Sequence, residues 1–526
     1  MAGIPNRRAG RASQRGLGLL IILIVGGVLG VVIVGSAIVD RAAADARERS
    51  TRDALARAKE ALIAYASARM DDGLGNVPDT PGHLPCPAIA PPAPPNFPEG
   101  SSAGTCGDAN DTVVGRLPWR TMGIPPPRDG TGECLWYAVS GRFKQNPRGS
   151  EIFNWDTEGQ IRVLNTDGTL LADKVAAVII APGPPLGQTR MPGLNAVICA
   201  GSHNPADYLE ATQSASNHTM VDSNPTSQPA LSTMIAGGID PATKTELVND
   251  RLAIITTDEI VAAYRRRKDF GAQVLRPDPG WDQGRLRRLM AVIAGCYGSY
   301  AQRSDPDDRR LPWAGGRVQT TPITQGGTTL TLAEIRSQNL LLAGRAPSRY
   351  DTFTTGFGSS SNPNYIAALA GCLADPAAIA WWNQWRDHLY YAVSPDFSPA
   401  APKPVTACES LSPNRCLRVN GSTARYAAVL IFAGRHVAGQ TRPQWSAETP
   451  TPLDARQTYA NYLEGINLAN ISAAPTWTPP PDPPDPPDPL DTRYDYRSDA
   501  IPGATLNDFA FCIEVTPTTT TVTPCP

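Results

Sequence analysis

The chain of 526 residues contains an internal repeat, and this repeat limits the fold more than any other feature of the sequence. The segment "AAVIIAPGPPLGQTR" at 176–190 returns as "AAVLIFAGRHVAGQTR" at 427–442. Four further segments return in the same order: "GRLPWRTMG" at 115 and "RRLPWAGG" at 309, "CLWYAVSG" at 134 and "HLYYAVSP" at 388, "ADYLE" at 206 and "ANYLE" at 460, and "NDRLAIIT" at 249 and "NDFAFCIE" at 507. Five matches in one order indicate a tandem duplication, so the fold of the first copy is built twice.

Each copy begins with a helical pattern and continues with β-strand patterns. In "STRDALARAKEALIAYASARM", the residues on one stripe at helical spacing are Leu55, Ala58, Leu62, Tyr65 and Ala66. The segment "GRLRRLMAVIAGCYGSYAQ" takes the equivalent place in the second copy. Short aromatic or β-branched runs bounded by turn residues follow both helices. We therefore predict an α+β fold in which each copy packs a helix on an antiparallel sheet.

The repeat and the composition predict how the chain is organised. We call the two copies head one and head two. The predicted segments are a basic arm at 1–16, an apolar run at 17–39, head one at 40–270, head two at 280–515, a proline-rich loop at 475–491 within head two, and a Thr/Pro-rich tail at 516–526. The proline-rich loop is expected to be extended, polyproline-like chain.

The apolar run predicts a membrane-spanning helix. Its 23 uncharged residues are enough to cross a bilayer core of about 30 Å. Four arginines and no acid precede the run, so the positive-inside rule keeps the arm cytoplasmic and sends everything after Val39 across the membrane. We expect a single-pass protein of a bacterial inner membrane with a periplasmic body. Cleavage near Ala42–Ala44, as in a secretory signal, is the alternative.

The cysteines agree with an exported body. All ten lie beyond the apolar run, and their number is even. An oxidising compartment permits disulfides, and no CxxC or His spacing favours a metal site. The connectivity stays open, but three pairs would close short loops: Cys86/Cys106, Cys408/Cys416 and Cys512/Cys525.

Signatures of enzymes and of cofactor or metal sites are missing from the sequence. It contains no HExxH, GxSxG or GxxxxGK[ST] motif, and we expect neither catalysis nor a cofactor. His388 is expected to pack beside Trp381, Trp382 and Trp385. The acidic loops at 71–72, 108–111 and 305–308 could supply oxygen ligands to Ca²⁺, but they lack EF-hand spacing and are interpreted as solvated. A net charge of −2 gives no reason to expect nucleic acid as a partner.

The amino-terminal third resembles a known class of proteins. An arm that ends in Gly16, an apolar helix that runs into the amphipathic "ALARAKEALIAYA", and then "LPCPA", "GRLPW" and "LWYAVSG" are similar to type IV pilin-like proteins, most of all to minor pseudopilins of type II secretion machines. The resemblance implies cleavage by a prepilin peptidase between Gly16 and Leu17. It also implies that the helix 17–70 packs with other pilin-like subunits in a filament or at its tip.

Two details bear on that resemblance. Such subunits usually carry Glu as the fifth residue after cleavage, where this chain has Ile21. The departure speaks for a minor or tip subunit, which has no subunit ahead of it to pair with. Gly26 and Gly30 form a GxxxG pair that would suit helix packing. The expected function is therefore a pilin-like structural subunit, and the alternative is a membrane-anchored periplasmic or surface binding protein of adhesin type.

Overall fold

The protein is described from a computed structural model. The description covers residues 14–68, 82–88, 98–108, 111–147, 153–188, 190, 199, 201–220, 231–239, 246–266, 285–301, 310–319, 323–325, 328–330, 334–338, 340–348, 382, 385–400, 408, 416–420, 423–437, 439–440, 442, 458–476, 493–494, 508–516 and 519–525. At 14–22 and 26–37 it extends to the backbone alone. The helices are α1 (Gln14–Ala68), α2 (Thr257–Arg265), α3 (Arg285–Ala301) and α4 (Gly465–Ser472).

Head one is built on a four-stranded antiparallel sheet. Its strands are β1 (Val113–Arg116), β2 (Trp136–Val139), β5 (Ala177–Ala181) and β9 (Arg251–Ile255), in the order β1-β2-β5-β9. A smaller sheet, β4-β3-β6, and a two-stranded ribbon of β7 and β8 lie between them in sequence. Their bounds are β3 (Ile161–Leu164), β4 (Leu170–Val175), β6 (Ser232–Ile235), β7 (Gly238–Ile239) and β8 (Glu246–Val248).

Head two is built on a seven-stranded sheet in the order β13-β10-β14-β15-β17-β19-β20. Its strands are β10 (Gly315–Gln319), β13 (Glu334–Ser337), β14 (Ala343–Arg345), β15 (Leu389–Val393), β17 (Ala428–Phe432), β19 (Phe509–Val515) and β20 (Thr520–Pro524). The described residues also form two short pairs, β11 (Ile323–Gln325) with β12 (Thr328–Leu330), and β16 (Arg418–Val419) with β18 (Arg493–Tyr494).

The four central strands of head two repeat the sheet of head one. β14, β15, β17 and β19 follow one another as β1, β2, β5 and β9 do, and the register is the same: Arg116 pairs with Trp136, and Arg345 pairs with Tyr390. The loop contacts repeat as well, because the N–H of Leu84 donates to Phe143 and that of Leu311 donates to Phe397, both at 2.7 Å. The "LPW" segment of head two therefore corresponds structurally to "LPC" at 84, and not to the "LPW" at 117 with which the sequence aligns it.

The predicted helix stripe holds each head together. On α1, Ala54, Ala58, Leu62 and Ala66 are fully buried against the sheet of head one. On α3, the equivalent buried positions include Met290, Ile293, Ala294 and Tyr297. Small residues at three of these four positions on α1 let the helix lie close to the sheet, and Leu55 and Leu62 are the large buried side chains beside them.

α1 docks onto head one only over its carboxyl-terminal half. The contact begins near Arg47, because a Cβ at Gly130 would lie 2.1 Å from the Arg47 carbonyl oxygen. The Gly130 N–H donates to the Thr51 hydroxyl at 2.9 Å. Further along, Lys59 pairs with Glu259 at 2.6 Å. Glu259 also completes the predicted capping box of α2 with Thr256, so this carboxylate joins the two helices.

The prediction of a membrane-spanning helix is corrected by the structure. Within the described residues, no helix is both long enough and apolar enough to cross a bilayer. The apolar run forms no element of its own, because α1 continues without a break through Asp40, Arg41 and Asp45 to Ala68. The helix at 17–39 is therefore not retained as a transmembrane element, and neither is the single-pass membrane topology.

The packing of α1 predicts the effect of one substitution. Leu62→Ala removes a fully buried side chain and leaves a cavity, so we expect the free energy of unfolding to fall by about 2–5 kcal/mol. Denaturation in urea, followed by circular dichroism, measures this change. Arg57→Ala, one turn away on the exposed face, is the matched control and should stay within about 0.5 kcal/mol. Equal effects of the two variants would show that α1 does not pack in this way.

Candidate functional site: a projecting helix, a buried head junction and two carboxyl pairs

The first candidate is the amino-terminal half of α1, which we call the projecting helix (14–46). At 1.5 Å per residue it extends about 50 Å beyond the point where α1 docks. Five large apolar residues of this helix have described side chains, and all five are more than half exposed, from 52% to 66%: Leu23, Ile24, Val25, Ile38 and Val39. A helix in water normally hides such side chains against a partner. This half of α1 therefore has the character of an assembly surface.

The processing and packing residues predicted from the sequence lie on this helix. The Gly16–Leu17 peptide bond falls in its first turn, since α1 begins at Gln14. Gly26 and Gly30 lie one turn apart and so share a face. The side-chain surroundings of these four residues are outside the description, and their proposed roles stay predictions.

Disulfides join most of the cysteines in the described residues. Cys86 is bonded to Cys106, Cys408 to Cys416, and Cys512 to Cys525, which are the three short pairs named from the sequence. A fourth bond joins Cys134 to Cys199, which sequence spacing did not indicate. Cys296 is also disulfide-bonded. These bonds indicate an oxidising, non-cytoplasmic location.

The second candidate is the buried junction between the heads. Trp155 and Asp156 of head one insert among side chains of head two. The Trp155 ring packs edge-on against Trp385 and Phe432, with centroids 4.7 and 5.5 Å apart. Asp156 Oδ2 lies 2.7 Å from His388 Nε2 and 3.5 Å from Arg442 Nη1. These contacts join residues that are more than 200 positions apart in the chain.

A tight turn in head one presents these two side chains. The Asp156 N–H donates to Asn154 Oδ1 at 2.9 Å, and the Asn154 N–H donates to the Thr157 hydroxyl at 3.0 Å. The Thr257 hydroxyl at the start of α2 donates to the Thr157 carbonyl at 2.8 Å. Because side chains cap the turn from both ends, it enters the junction with its geometry fixed.

The junction contains the buried carboxylate of Asp156, which lies beside the Arg442 guanidinium and the His388 imidazole. Burial alone raises the pKa of Asp156, but Arg442 and His388 outweigh it and hold that pKa well below its usual range. Burial lowers the pKa of His388 despite Asp156 beside it, so the imidazole is neutral at neutral pH. Its Nε2 lies 2.7 Å from Asp156 Oδ2 and also 3.1 Å from the Trp155 Nε1–H donor, and Nδ1 has no hydrogen-bond partner in the described part of the chain. His388 is thus a packing and hydrogen-bonding residue at an interface.

The junction continues at its rim. His436 Nδ1 lies 3.3 Å from Asp156 Oδ1, and Arg435 pairs with Asp258 on α2. Arg435, His436 and Arg442 all come from the segment that follows β17, the repeated "GQTR" region of head two. The same region therefore serves the fold of head two and its contact with head one.

The third candidate is a pair of buried carboxyl groups that recurs in both heads. In head one, Gln188 Nε2 donates to Glu210 Oε1 at 2.8 Å. The N–H of Asp250 donates to Glu210 Oε2 at 3.2 Å, and the N–H of Glu210 donates to Asp250 Oδ2 at 3.0 Å. Asn217 Nδ2 donates to the same Asp250 oxygen at 2.8 Å. The two carboxyl groups are thus held side by side.

Head two contains the same arrangement. Gln440 Nε2 donates to Glu464 Oε1 at 2.8 Å, and Asn467 Nδ2 donates to Asp508 Oδ2 at 3.0 Å. Arg190 in head one and Arg442 in head two also correspond, since each donates to a glycine carbonyl, Gly183 or Gly434. The asparagine follows its glutamate by seven residues in head one and by three in head two. The hydrogen bond from the asparagine to the aspartate is therefore present in both heads, although the number of residues between the glutamate and the asparagine differs.

The acidic loops considered from the sequence do not form a metal centre in the described residues. No group of three potential ligands is close enough to hold an ion there. The Asp108 N–H donates to Asp111 Oδ2 at 2.7 Å, so the Asp111 carboxylate is used in a local turn of the chain. The segments 71–72 and 305–308 lie outside the described residues.

Comparisons with known proteins give no identity. Protein-family models, curated proteins and solved structures were compared with the chain, and none of the three comparisons finds a match. The pilin-like and pseudopilin-like resemblance therefore gains no support from them. The fold and the geometry of the site carry the functional argument alone.

The junction predicts a large difference between two similar substitutions. Asp156→Asn leaves the buried Arg442 without its carboxylate, and we expect the unfolding free energy to fall by about 3–5 kcal/mol. Asp173→Asn removes an exposed carboxylate paired with Arg162 and should change it by no more than about 1 kcal/mol. Urea denaturation of both variants measures the two changes in unfolding free energy. If Asp156→Asn is as mild as the control, the junction does not hold the heads together.

Proposed function

We propose that this protein is an exported structural subunit that joins a larger assembly through its projecting helix. The observation that carries the proposal is the division of α1 into two halves. One half is buried on head one, while the other extends about 50 Å with exposed apolar side chains such as Ile24 and Ile38. The assembly contact is helix against helix, with equivalent helices of neighbouring subunits.

The composition of the docked half supports this division of labour. Leu62 and its small neighbours Ala58 and Ala66 hold α1 on the sheet, so the helix does not need its amino-terminal half to remain folded onto the head. Gly26 and Gly30 on the projecting helix would allow a second helix to approach closely. In this proposal the projecting half serves assembly and the docked half serves folding.

The resemblance noted in the sequence suggests the form of this assembly. A pilin-like subunit places such a helix in the centre of a filament and its head at the surface. Two heads in tandem would be too bulky for regular helical stacking, so we propose a minor or tip position in a filament of the type IV pilus or type II secretion kind. Ile21, in place of the usual glutamate, is consistent with a subunit that has no neighbour ahead of it.

Site-specific photocrosslinking tests the assembly role. A photoreactive residue at Ile38, which is 63% exposed, should give covalent adducts with another copy or with a different subunit when the native protein is irradiated. Ala262, an exposed position on α2, is the matched control and should give none. Irradiation that leaves the Ile38 variant entirely as single chains would refute the proposal and would favour the adhesin-like binding protein.

Mass spectrometry tests the proposed cleavage between Gly16 and Leu17. If a prepilin peptidase acts on this chain, the native protein begins at Leu17 and has lost Arg7, Arg8, Arg11 and Arg15. Intact-mass spectrometry of protein from its native source reports this directly. A mass that still includes the basic arm would show that the subunit assembles, if at all, without peptidase cleavage.

A further inference from the structure

The repeated carboxyl pairs contain an oxygen atom whose surroundings are unusual. Asp250 is fully buried, and its Oδ1 has no hydrogen-bond partner in the described part of the chain. Its other oxygen, Oδ2, accepts from Asn217 and from the Glu210 backbone. The neighbouring Glu210 accepts through both oxygens, one from Gln188 and the other from backbone N–H groups. An ionised, unpartnered oxygen at this depth would be costly, so the position calls for a bound proton.

We propose that each head binds one proton on the aspartate of its buried glutamate–aspartate pair, and that this proton, by removing one of the two negative charges, keeps an exposed glycine loop fastened to the last central strand. The described residues of the glycine loops are 183–188 and 190 in head one, and 434–437, 439–440 and 442 in head two. Each loop supplies the glutamine that donates to the glutamate, while the aspartate precedes β9 or β19. The ligand is a single proton, and no other group is required.

In head one, the donors around the pair show which member carries the proton. Glu210 receives three donors, which favour its ionised form, whereas Asp250 Oδ1 receives none. The proton therefore resides on Asp250 Oδ1. In agreement with this, burial and then the charge of Glu210 raise the pKa of Asp250 well above its ordinary value. In head two, Asp508 Oδ2 accepts from Asn467 at 3.0 Å and Oδ1 accepts a long hydrogen bond from the Gly434 N–H of the glycine loop at 3.4 Å. Burial and then the charge of Glu464 raise the pKa of Asp508.

Few other charges act on these pairs. In head one, Arg190 donates to carbonyl oxygens next to the pair, and its carboxylate partner is Glu133 at 3.2 Å. In head two, Arg442 lowers the pKa of Asp508, but by less than burial and Glu464 raise it. Arg442 is also the residue that reaches Asp156 across the junction. The head-two proton site and the head junction are therefore linked through one side chain.

The glycine loops are the parts that loss of the proton would release. Gly187 and Gly439 have φ angles of +99° and +92°, a left-handed conformation in which other residues are strained, and both glycines are exposed. A second negative charge in the pair would repel the first and weaken the glutamine contact that fixes each loop. In head two this would also free the loop that carries Arg435, His436 and Arg442 into the junction.

The direction of the pH effect follows from the raised pKa. A carboxyl group whose pKa is higher in the folded than in the unfolded chain contributes stability that is complete below its unfolded pKa, and this stability is lost as the pH rises through the folded pKa. The carboxyl pairs therefore favour the closed loops in acid and weaken them in alkali. His388 acts in the opposite direction, because its lowered pKa favours the fold above the unfolded value of 6.5.

Infrared spectroscopy in D2O tests for the bound protons without denaturing the protein. At neutral pH we expect the carbonyl band of protonated carboxylic acid in the wild-type protein. Asp250→Asn and Asp508→Asn should each remove a part of that band, and the double variant should remove both parts. Asp173→Asn, an exposed carboxylate, is the matched control and should leave the band unchanged.

The wild-type protein alone provides a second measurement if a variant fails to fold. Raising the pH should abolish the carboxylic-acid band, and amide hydrogen exchange in the two glycine loops should then increase beyond the intrinsic effect of pH. A wild-type protein with no carboxylic-acid band at neutral pH would overturn the proposal. A band that the double variant retains in full would overturn it as well.

Discussion

The structure depends on a buried ion-pair cluster that joins two copies of one fold. The Asp156 side chain of head one lies between His388 and Arg442 of head two. Arg442 balances its negative charge, His388 contacts Oδ2, and His436 lies beside Oδ1. A buried charge is tolerated only while it is paired and hydrogen-bonded, so the heads are fixed in one arrangement. The Trp155 ring adds apolar contact beside the charge. This arrangement turns two heads into one unit at the end of α1.

Comparison of the two heads explains why the junction forms only once. Cys134 and His388 occupy equivalent positions, one residue before the shared "L(W/Y)YAVS" segment. In head one, Cys134 is bonded to Cys199, so this position is covered by a segment of the same head. In head two, His388 receives Trp155 and Asp156 from outside. In head one a disulfide covers this position, whereas in head two the same position contacts Trp155 and Asp156 of head one.

Sequence reasoning predicted the parts of the fold that depend on periodicity. The stripe from Leu55 to Ala66 and the capping box at Thr256 are local patterns, and the structure has them. The repeated strands also recur in order, but the two "LPW" segments that the sequence aligns are not structural equivalents. The membrane-spanning helix was wrong, since α1 is one long helix in which no described stretch meets the requirement. Asp156 gave no signal, because a buried pair between distant segments depends on how the heads meet. The carboxyl pairs did leave a signal: "YLE" and "ND" were repeated, but their acids were not recognised as partners.

We propose that this chain works as a member of an assembly held by the projecting helix. Sedimentation velocity of the protein taken from its native source is the decisive experiment, because it reports the mass of the working particle. We expect a particle heavier than the 55.9 kDa of one chain, and we expect Ile24→Glu together with Ile38→Glu to reduce it to single chains with folded heads. Native protein that sediments as a single chain at every concentration would contradict the claim.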